Sequence, residues 1–103
     1  MYETTVNDEA LTTRMLPVLE RAADGRVGRS LVSGASEDFS FFAQQAPGMY
    51  LFLGITPRDQ GPSKAAPNHS PQFFVDESAL VVGTRTLASL AVNFLAGGAK
   101  SRN

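Results

Sequence analysis

The chain has 103 residues, a formal net charge of −1 and 43% apolar residues, a composition typical of one compact unit and too apolar for a disordered chain. The near-neutral charge offers no electrostatic attraction to nucleic acid or to an anionic membrane, so we expect neither as a partner. Cysteine is absent, which excludes disulfide scaffolds, thiolate metal sites and cysteine nucleophiles.

The first predicted element is an amphipathic helix that begins at Asn7 or Asp8, since either side chain can accept hydrogen bonds from the free N–H groups of a first turn. Pro17 lies inside this pattern, so we expect a kink there or a helix in two parts. Asp24 and Gly25 are expected to end the helix. The apolar residues that share its buried face are Leu11, Met15, Val18, Leu19 and Ala22.

Two short apolar segments, 27–32 and 49–55, are predicted strands, and residues 2–6 are a weaker third candidate. The 49–55 segment is almost continuously apolar, which is typical of a strand covered on both faces. Between the two strands a second helix is predicted, with Ser36 as its N-cap and acidic residues in its first turn. Its expected buried face consists of Phe39, Phe42, Ala43 and Ala46, and Pro47 and Gly48 end it.

Residues 56–72 are rich in proline and predict a long irregular loop, a feature that is often functional. A last helix is predicted from Asp76 or Glu77 to a stop at Gly97 and Gly98. Helices that alternate with apolar strands predict an α/β fold, here a small layered α/β fragment with about three helices and two to three strands. So small a sheet would leave an exposed edge, which indicates that the chain is part of something larger.

No basic segment followed by an apolar one precedes the first helix, so no signal peptide is predicted. The apolar stretch 48–55 is well short of the ~20 residues that a membrane-spanning helix needs. We therefore expect a cytoplasmic protein that does not associate with a membrane.

His69 is the only histidine, and it lies in a proline-rich part of the long loop. Proline restricts the backbone of the residue before it, so the imidazole should be held in place, as metal coordination or proton transfer requires. A surface histidine in a turn is the structural alternative. A catalytic zinc normally has three protein ligands, and this chain has one imidazole and no thiolate.

Small residues precede the second predicted helix, and the backbone N–H groups of such a turn can hold a carboxylate or another anion. The acidic residues that follow could also contact a substrate. An ordinary N-cap with acidic first-turn residues is the structural alternative. The segment consists of Gly34, Ala35, Ser36, Glu37 and Asp38.

Four segments in this order resemble one known family: Asn7-Asp8 opening a helix, Gly34-Ala35-Ser36-Glu37-Asp38-Phe39, Pro47-Gly48-Met49-Tyr50 leading to Leu53-Gly54, and His69-Ser70-Pro71 followed by Asp76-Glu77-x-Ala79-Leu80. The series is similar to the C-terminal part of the catalytic domain of the zinc-dependent amidohydrolases. That family includes hippurate hydrolase, the indole-acetyl-amino-acid hydrolases, aminoacylase and carboxypeptidase G.

The resemblance implies a catalytic α/β domain interrupted by a lid domain, with residues 1–6 crossing from the lid, 7–98 completing the catalytic domain and 99–103 forming a frayed tail. It implies that His69 is a metal ligand, and that Gly34 to Asp38 line the substrate site. The metal of the complete enzyme would be zinc, with manganese or cobalt as alternatives. Its substrate would be an N-acyl amino acid or a small peptide.

The other metal ligands and the general base of such an enzyme are absent from the sequence. The leading hypothesis is therefore a C-terminal fragment of a metal-dependent amidohydrolase that hydrolyses no amide bond alone and binds no metal tightly. The alternative is a free-standing, non-catalytic interaction module with the same fold, which forms a homodimer through the exposed sheet edge.

Overall fold

A computed structural model of the chain describes residues 3–30 and 37–101. The described part contains three α-helices, α1 (Glu9–Ala22), α2 (Phe39–Ala43) and α3 (Ser78–Ser101). A single turn of 3-10 helix, Pro62–Lys64, lies in the segment between α2 and α3. The rest of the described chain consists of turns and extended stretches, so the long irregular loop predicted for residues 56–72 is confirmed apart from that one turn.

Helix α1 begins where the sequence predicts. Asp8 is its N-cap, and its Oδ2 accepts a hydrogen bond from the N–H of Leu11 at 2.8 Å. The predicted face is also confirmed, since Met15, Val18, Leu19 and Ala22 are buried. The helix continues through Pro17 as one element, so the alternative prediction of a helix in two parts is wrong.

The C-terminus of α1 is closed by a Schellman motif. The N–H of Gly25 donates to the carbonyl of Glu20 at 2.7 Å, and the N–H of Asp24 donates to that of Arg21 at 3.4 Å. Asp24 has φ 52° and Gly25 has φ 76°, so both residues adopt the left-handed conformation that ends a helix. The stop predicted at these two residues is confirmed.

Helix α3 begins after Asp76, whose Oδ1 accepts from the hydroxyl of Ser78 at 2.7 Å and from its N–H at 3.1 Å. The Ser78 hydroxyl, followed by the Ser78 N–H, holds the pKa of the Asp76 carboxyl below its usual value. The stop predicted at Gly97 and Gly98 is wrong, because the helix continues to Ser101. Glycine weakens a helix but keeps its N–H donor, and a Cβ at Gly97 would collide with the Arg14 guanidinium packed there.

Helices α1 and α3 pack against each other, and each helix contributes an arginine that bonds to the other helix. The Nε of Arg85 in α3 donates to the Ala22 carbonyl at the end of α1 at 2.6 Å. In the other direction, Arg14 of α1 lies 4.7 Å above the ring of Phe94 and donates to its carbonyl at 3.0 Å. The buried apolar core of the described residues lies along α1 and consists of Met15, Val18, Leu19, Ala22 and Ala23.

The predicted α/β fold is wrong, because the part of the chain that the structure describes is helical and contains no strand. Residues 27–30 and 49–55 are irregular, while residue 2 and residues 31–32 of the strand candidates lie outside the described ranges. A strand requires a ladder of hydrogen bonds to a neighbour. In the 48–55 segment, the carbonyls at the two ends instead accept hydrogen bonds from the N–H groups of Asp8 and Asp76. The Asn7 side chain bonds to both the N–H and the carbonyl of Tyr50.

Helix α2 is also shorter than predicted. It begins at Phe39 rather than after Ser36, and it spans five residues. The expected buried face is wrong at Phe42, whose side chain is 70% exposed, and at Ala46, which is exposed and lies beyond the end of α2, whereas Ser40 is fully buried. One turn of helix is too short to present a continuous apolar face, so local packing decides which side chains are covered.

Much apolar surface stays exposed. The radius of gyration is 15.5 Å, against about 13 Å for a compact domain of 100 residues. The outer face of α3 is mostly apolar, with exposed side chains at Leu80, Val81, Leu87, Val92 and Leu95, and exposed Thr84 lies among them. Contiguous apolar patches on water-soluble proteins are often sites where other molecules bind.

Helix α3 is also long and apolar enough to cross a membrane. Its Ser78–Gly97 window has a mean hydropathy of 1.5 and is 6% buried. Length and composition alone do not distinguish a membrane-spanning helix from a core helix of a water-soluble domain. Arg85 lies within this window, and its Nε donates to the Ala22 carbonyl of α1. The absence of a membrane partner stays a prediction.

Candidate functional site

His69 lies in an exposed turn of the long loop. The turn is closed by a hydrogen bond from the N–H of Ser70 to the carbonyl of Pro67 at 3.0 Å. The next turn follows at once, since the N–H of Phe73 donates to the carbonyl of Ser70 at 3.0 Å. Local hydrogen bonds thus hold the backbone around His69, whereas the residue itself is exposed to solvent.

Of the predicted substrate-site residues, the structure describes Glu37 and Asp38, and Gly34, Ala35 and Ser36 lie outside the described residues. Asp38 is exposed and occupies the N-cap position of α2, but its side chain makes no capping bond. The first turn is held by Glu37 instead, whose Oε1 accepts from the N–H of Phe39 at 3.1 Å. A helix of five residues has only a weak dipole, so the carboxylate acts here through a direct bond.

Glu37 also bonds to Tyr50, thirteen residues further along the chain. The Tyr50 hydroxyl donates to Glu37 Oε2 at 2.9 Å, so each carboxylate oxygen accepts one hydrogen bond from this chain. The hydrogen bond from the Phe39 N–H, followed by the contact with the Asp38 side chain and then by the bond from the Tyr50 hydroxyl, lowers the pKa of Glu37. The same hydroxyl bond, together with desolvation and the Glu37 charge, raises the pKa of Tyr50.

Asn7 fixes the backbone of Tyr50. Its Oδ1 accepts from the Tyr50 N–H at 2.8 Å, and its Nδ2 donates to the Tyr50 carbonyl at 3.0 Å. The Tyr50 ring lies between two other aromatic rings, with centroids 5.3 Å from Phe39 and 5.7 Å from Phe52. Three distant parts of the chain, at residues 7–8, 37–39 and 48–50, therefore meet at one point.

The described residues do not fit a metal ion. Throughout residues 3–30 and 37–101, no three histidine or acidic side chains come close enough together to hold one. His69 would supply a single imidazole, whereas a catalytic metal needs about three protein ligands. No step of a reaction can therefore be assigned to a metal held by these residues alone.

Asn7 and Tyr50 are the residues that sequence reasoning did not identify as parts of this site. From the sequence, Asn7 is a possible helix cap and Tyr50 belongs to a predicted apolar strand. The available signal was chemical: Tyr50 carries the one hydroxyl group in an otherwise apolar segment, and a buried or half-buried phenol usually finds a hydrogen-bond partner. Its partner could not be identified without the fold.

Comparison with known proteins matches the sequence of this chain to a peptidase family and to relatives that are named as hydrolases. The model of the peptidase family M20/M25/M40 matches residues 1–93. Thermostable carboxypeptidase 1 of Saccharolobus solfataricus is 43% identical over 94 residues, which is 91% of this chain and 23% of that protein. IAA-amino acid hydrolase ILR1-like 5 of Arabidopsis thaliana is 41% identical over 68 residues, 66% of this chain and 15% of that protein.

A bacterial relative is named for a further amide-cleaving activity. N-acetyldiaminopimelate deacetylase of Leuconostoc citreum is 30% identical over 88 residues, 85% of this chain and 21% of that protein. The chain therefore spans less than a quarter of the length of these curated relatives. No solved structure matches it.

Proposed function

This chain belongs to the peptidase family M20/M25/M40, and from that membership we propose that it is a C-terminal portion of a metal-dependent hydrolase whose complete form cleaves the amide bond of an N-acyl amino acid or a small peptide. The names of three relatives support this substrate class, since they describe a carboxypeptidase, an IAA-amino acid hydrolase and a deacetylase. A hydrolase parent is common to all of them.

The role proposed for this chain within such an enzyme is limited to two contributions. His69 supplies one imidazole ligand, zinc being the metal we favour, with manganese or cobalt as alternatives. The segment Gly34 to Asp38 forms part of the substrate wall, with Glu37 and Asp38 at the start of α2. The observation that carries this proposal is the family match over residues 1–93 of a chain that holds one histidine.

We expect the purified chain to hydrolyse neither hippurate nor another N-acyl amino acid when zinc, manganese or cobalt is added. A missing general base alone lowers such a rate by about 10²- to 10⁴-fold, and an incomplete ligand set removes the activated water as well. Release of the free amino acid, followed by chromatography, measures the rate. Turnover that depends on added metal and is lost in His69→Ala would show that the chain is a complete enzyme.

Metal binding tests the role of His69 separately from turnover. Calorimetric titration with zinc should give weak, reversible binding in the wild-type chain and less in His69→Ala, since a single imidazole is far from a complete site. His69→Gln is a matched control that keeps a polar side chain of similar size. Tight binding that disappears in the mutants would mean that several chains assemble a metal site between them, against the proposal of a single ligand in a larger enzyme.

The second candidate function is a non-catalytic module that associates with a second copy. The exposed apolar face of α3 favours it, since a free-standing protein would need to cover that surface. The sheet edge first expected to form the dimer is absent from the described residues, so α3 would have to replace it. Light scattering discriminates between the candidates: a concentration-dependent dimer that Leu87→Lys abolishes favours the module, and a monomer at high concentration contradicts it.

A further inference from the structure

The feature that the proposed function leaves unexplained is the contact between Glu37 and Tyr50. Glu37 lies in the segment assigned to the substrate wall, yet both of its oxygens accept hydrogen bonds from the chain itself, at 3.1 Å from the Phe39 N–H and at 2.9 Å from the Tyr50 hydroxyl. Each carboxylate oxygen can accept more than one hydrogen bond, so these two bonds fix the position of Glu37 without filling its capacity as an acceptor.

Tyr50 is a firm anchor for such a bond, because its backbone and its ring are both held. Asn7 bonds to the N–H and the carbonyl of Tyr50, and Asn7 precedes the N-cap of α1. The next residue, Asp8, donates its N–H to the Gly48 carbonyl at 2.9 Å. The position of the phenol is therefore set by α1 rather than by the loop that carries Glu37.

The start of α2 also packs against the 48–50 segment. A Cβ at Gly48 would lie 3.1 Å from Cζ of Phe39, which means that the ring packs directly on the glycine backbone. The Phe39 ring also packs on Tyr50. Glu37 and Phe39 thus contact the 48–50 segment from two sides, one by a hydrogen bond and the other by apolar packing.

We propose that Glu37 is a positioning residue, which holds the start of α2 on Tyr50 and so places Asp38, the neighbouring residue of the proposed substrate wall. The pair is called the Glu37–Tyr50 clamp below. Its substrate-related role rests on the proposed function, whereas the clamp itself rests on the contacts alone.

The test follows the ionisation of Tyr50 by its tyrosinate absorbance. The chain has two tyrosines, so Tyr2→Phe leaves Tyr50 as the one that titrates. Glu37 raises the pKa of Tyr50 through the hydroxyl bond first, then through desolvation and charge. We expect the titration of the Tyr2→Phe chain to lie above the ordinary tyrosine range, and Glu37→Gln to move it down. The charge of Asp38 also raises the pKa of Tyr50, so Asp38→Asn is measured as well. It should shift the titration less than Glu37→Gln does.

A second readout is local and needs no titration. In Glu37→Gln the amide resonance of Phe39 should shift, because the side chain that accepts from its N–H has changed. Tyr50→Phe should reproduce part of that shift, and the double variant should change it no further than Glu37→Gln does. Glu77→Gln, an exposed glutamate beside α3, is the matched control and should leave Phe39 and Tyr50 unaffected.

The outcomes separate the clamp from the hydrolase assignment. A Tyr50 titration that is ordinary in the Tyr2→Phe chain, or unchanged by Glu37→Gln, overturns the clamp even when one variant folds poorly, since the first measurement needs no change at Glu37. Neither result bears on the hydrolase proposal, which is tested by turnover and metal binding. An additive effect of Glu37→Gln and Tyr50→Phe on the Phe39 amide would also overturn it, because the two side chains would then act independently.

Discussion

Replacement of Leu19 by alanine is expected to lower the free energy of unfolding by about 2–5 kcal/mol, the range measured for large-to-small changes in protein cores. Leu19 is 9% exposed and belongs to the small core along α1. The loss combines the apolar area returned to water with the cavity left behind. Domains of this size are stable by only about 5–15 kcal/mol, so the variant should lose a large fraction of its stability.

Leu16→Ala is the matched control. It makes the same substitution in the same helix, so the changes in side-chain entropy and helix propensity are alike, but Leu16 is 39% exposed. We expect a loss of about 0.5 kcal/mol there. Chemical denaturation followed by circular dichroism measures both variants. Equal losses at Leu16 and Leu19 would mean that α1 does not bury the described face in solution.

Replacement of Arg85 by methionine is expected to be the next most damaging change. The Arg85 Nε donates to the Ala22 carbonyl at the end of α1, a group with no partner inside its own helix. Hydrogen bonds from charged donors contribute about 1.5–3 kcal/mol, and the partial exposure of the side chain places the expected loss near the lower end. Methionine keeps the length and apolar stem of the side chain, so the variant removes mainly the guanidinium.

Two further substitutions identify the source of that loss. Asp24→Asn removes the ion pair between Asp24 and Arg85, whose charged atoms are 3.4 Å apart and whose side chains are 70% and 45% exposed, so a loss below about 0.5 kcal/mol is expected. Arg29→Met removes an exposed arginine and should be nearly neutral. Hydrogen exchange at the C-terminus of α1 should accelerate in Arg85→Met alone. A larger loss of stability in Asp24→Asn than in Arg85→Met would mean that the ion pair, rather than the hydrogen bond to Ala22, holds the two helices together.

The candidate site could be predicted from the sequence only in part. The order of Gly34 to Phe39, the apolar 49–55 segment and His69 was sufficient to identify the hydrolase family, because that order depends on residue types along the chain. The role of Glu37 was not accessible in the same way. Its partner Tyr50 is thirteen residues distant, and whether a carboxylate contacts substrate or its own chain depends on which group the fold brings within 3 Å.

The sequence alone determined the local features of the fold. Asp8 as the cap of α1, the stop at Asp24 and Gly25, the apolar spacing of α1 and the start of α3 near Asp76 each depend on neighbouring residues within one or two turns. Tertiary structure decided the rest. The apolar 49–55 segment forms no strand, because the side chain of Asn7 and the ends of other segments bond to its backbone where a neighbouring strand would be needed.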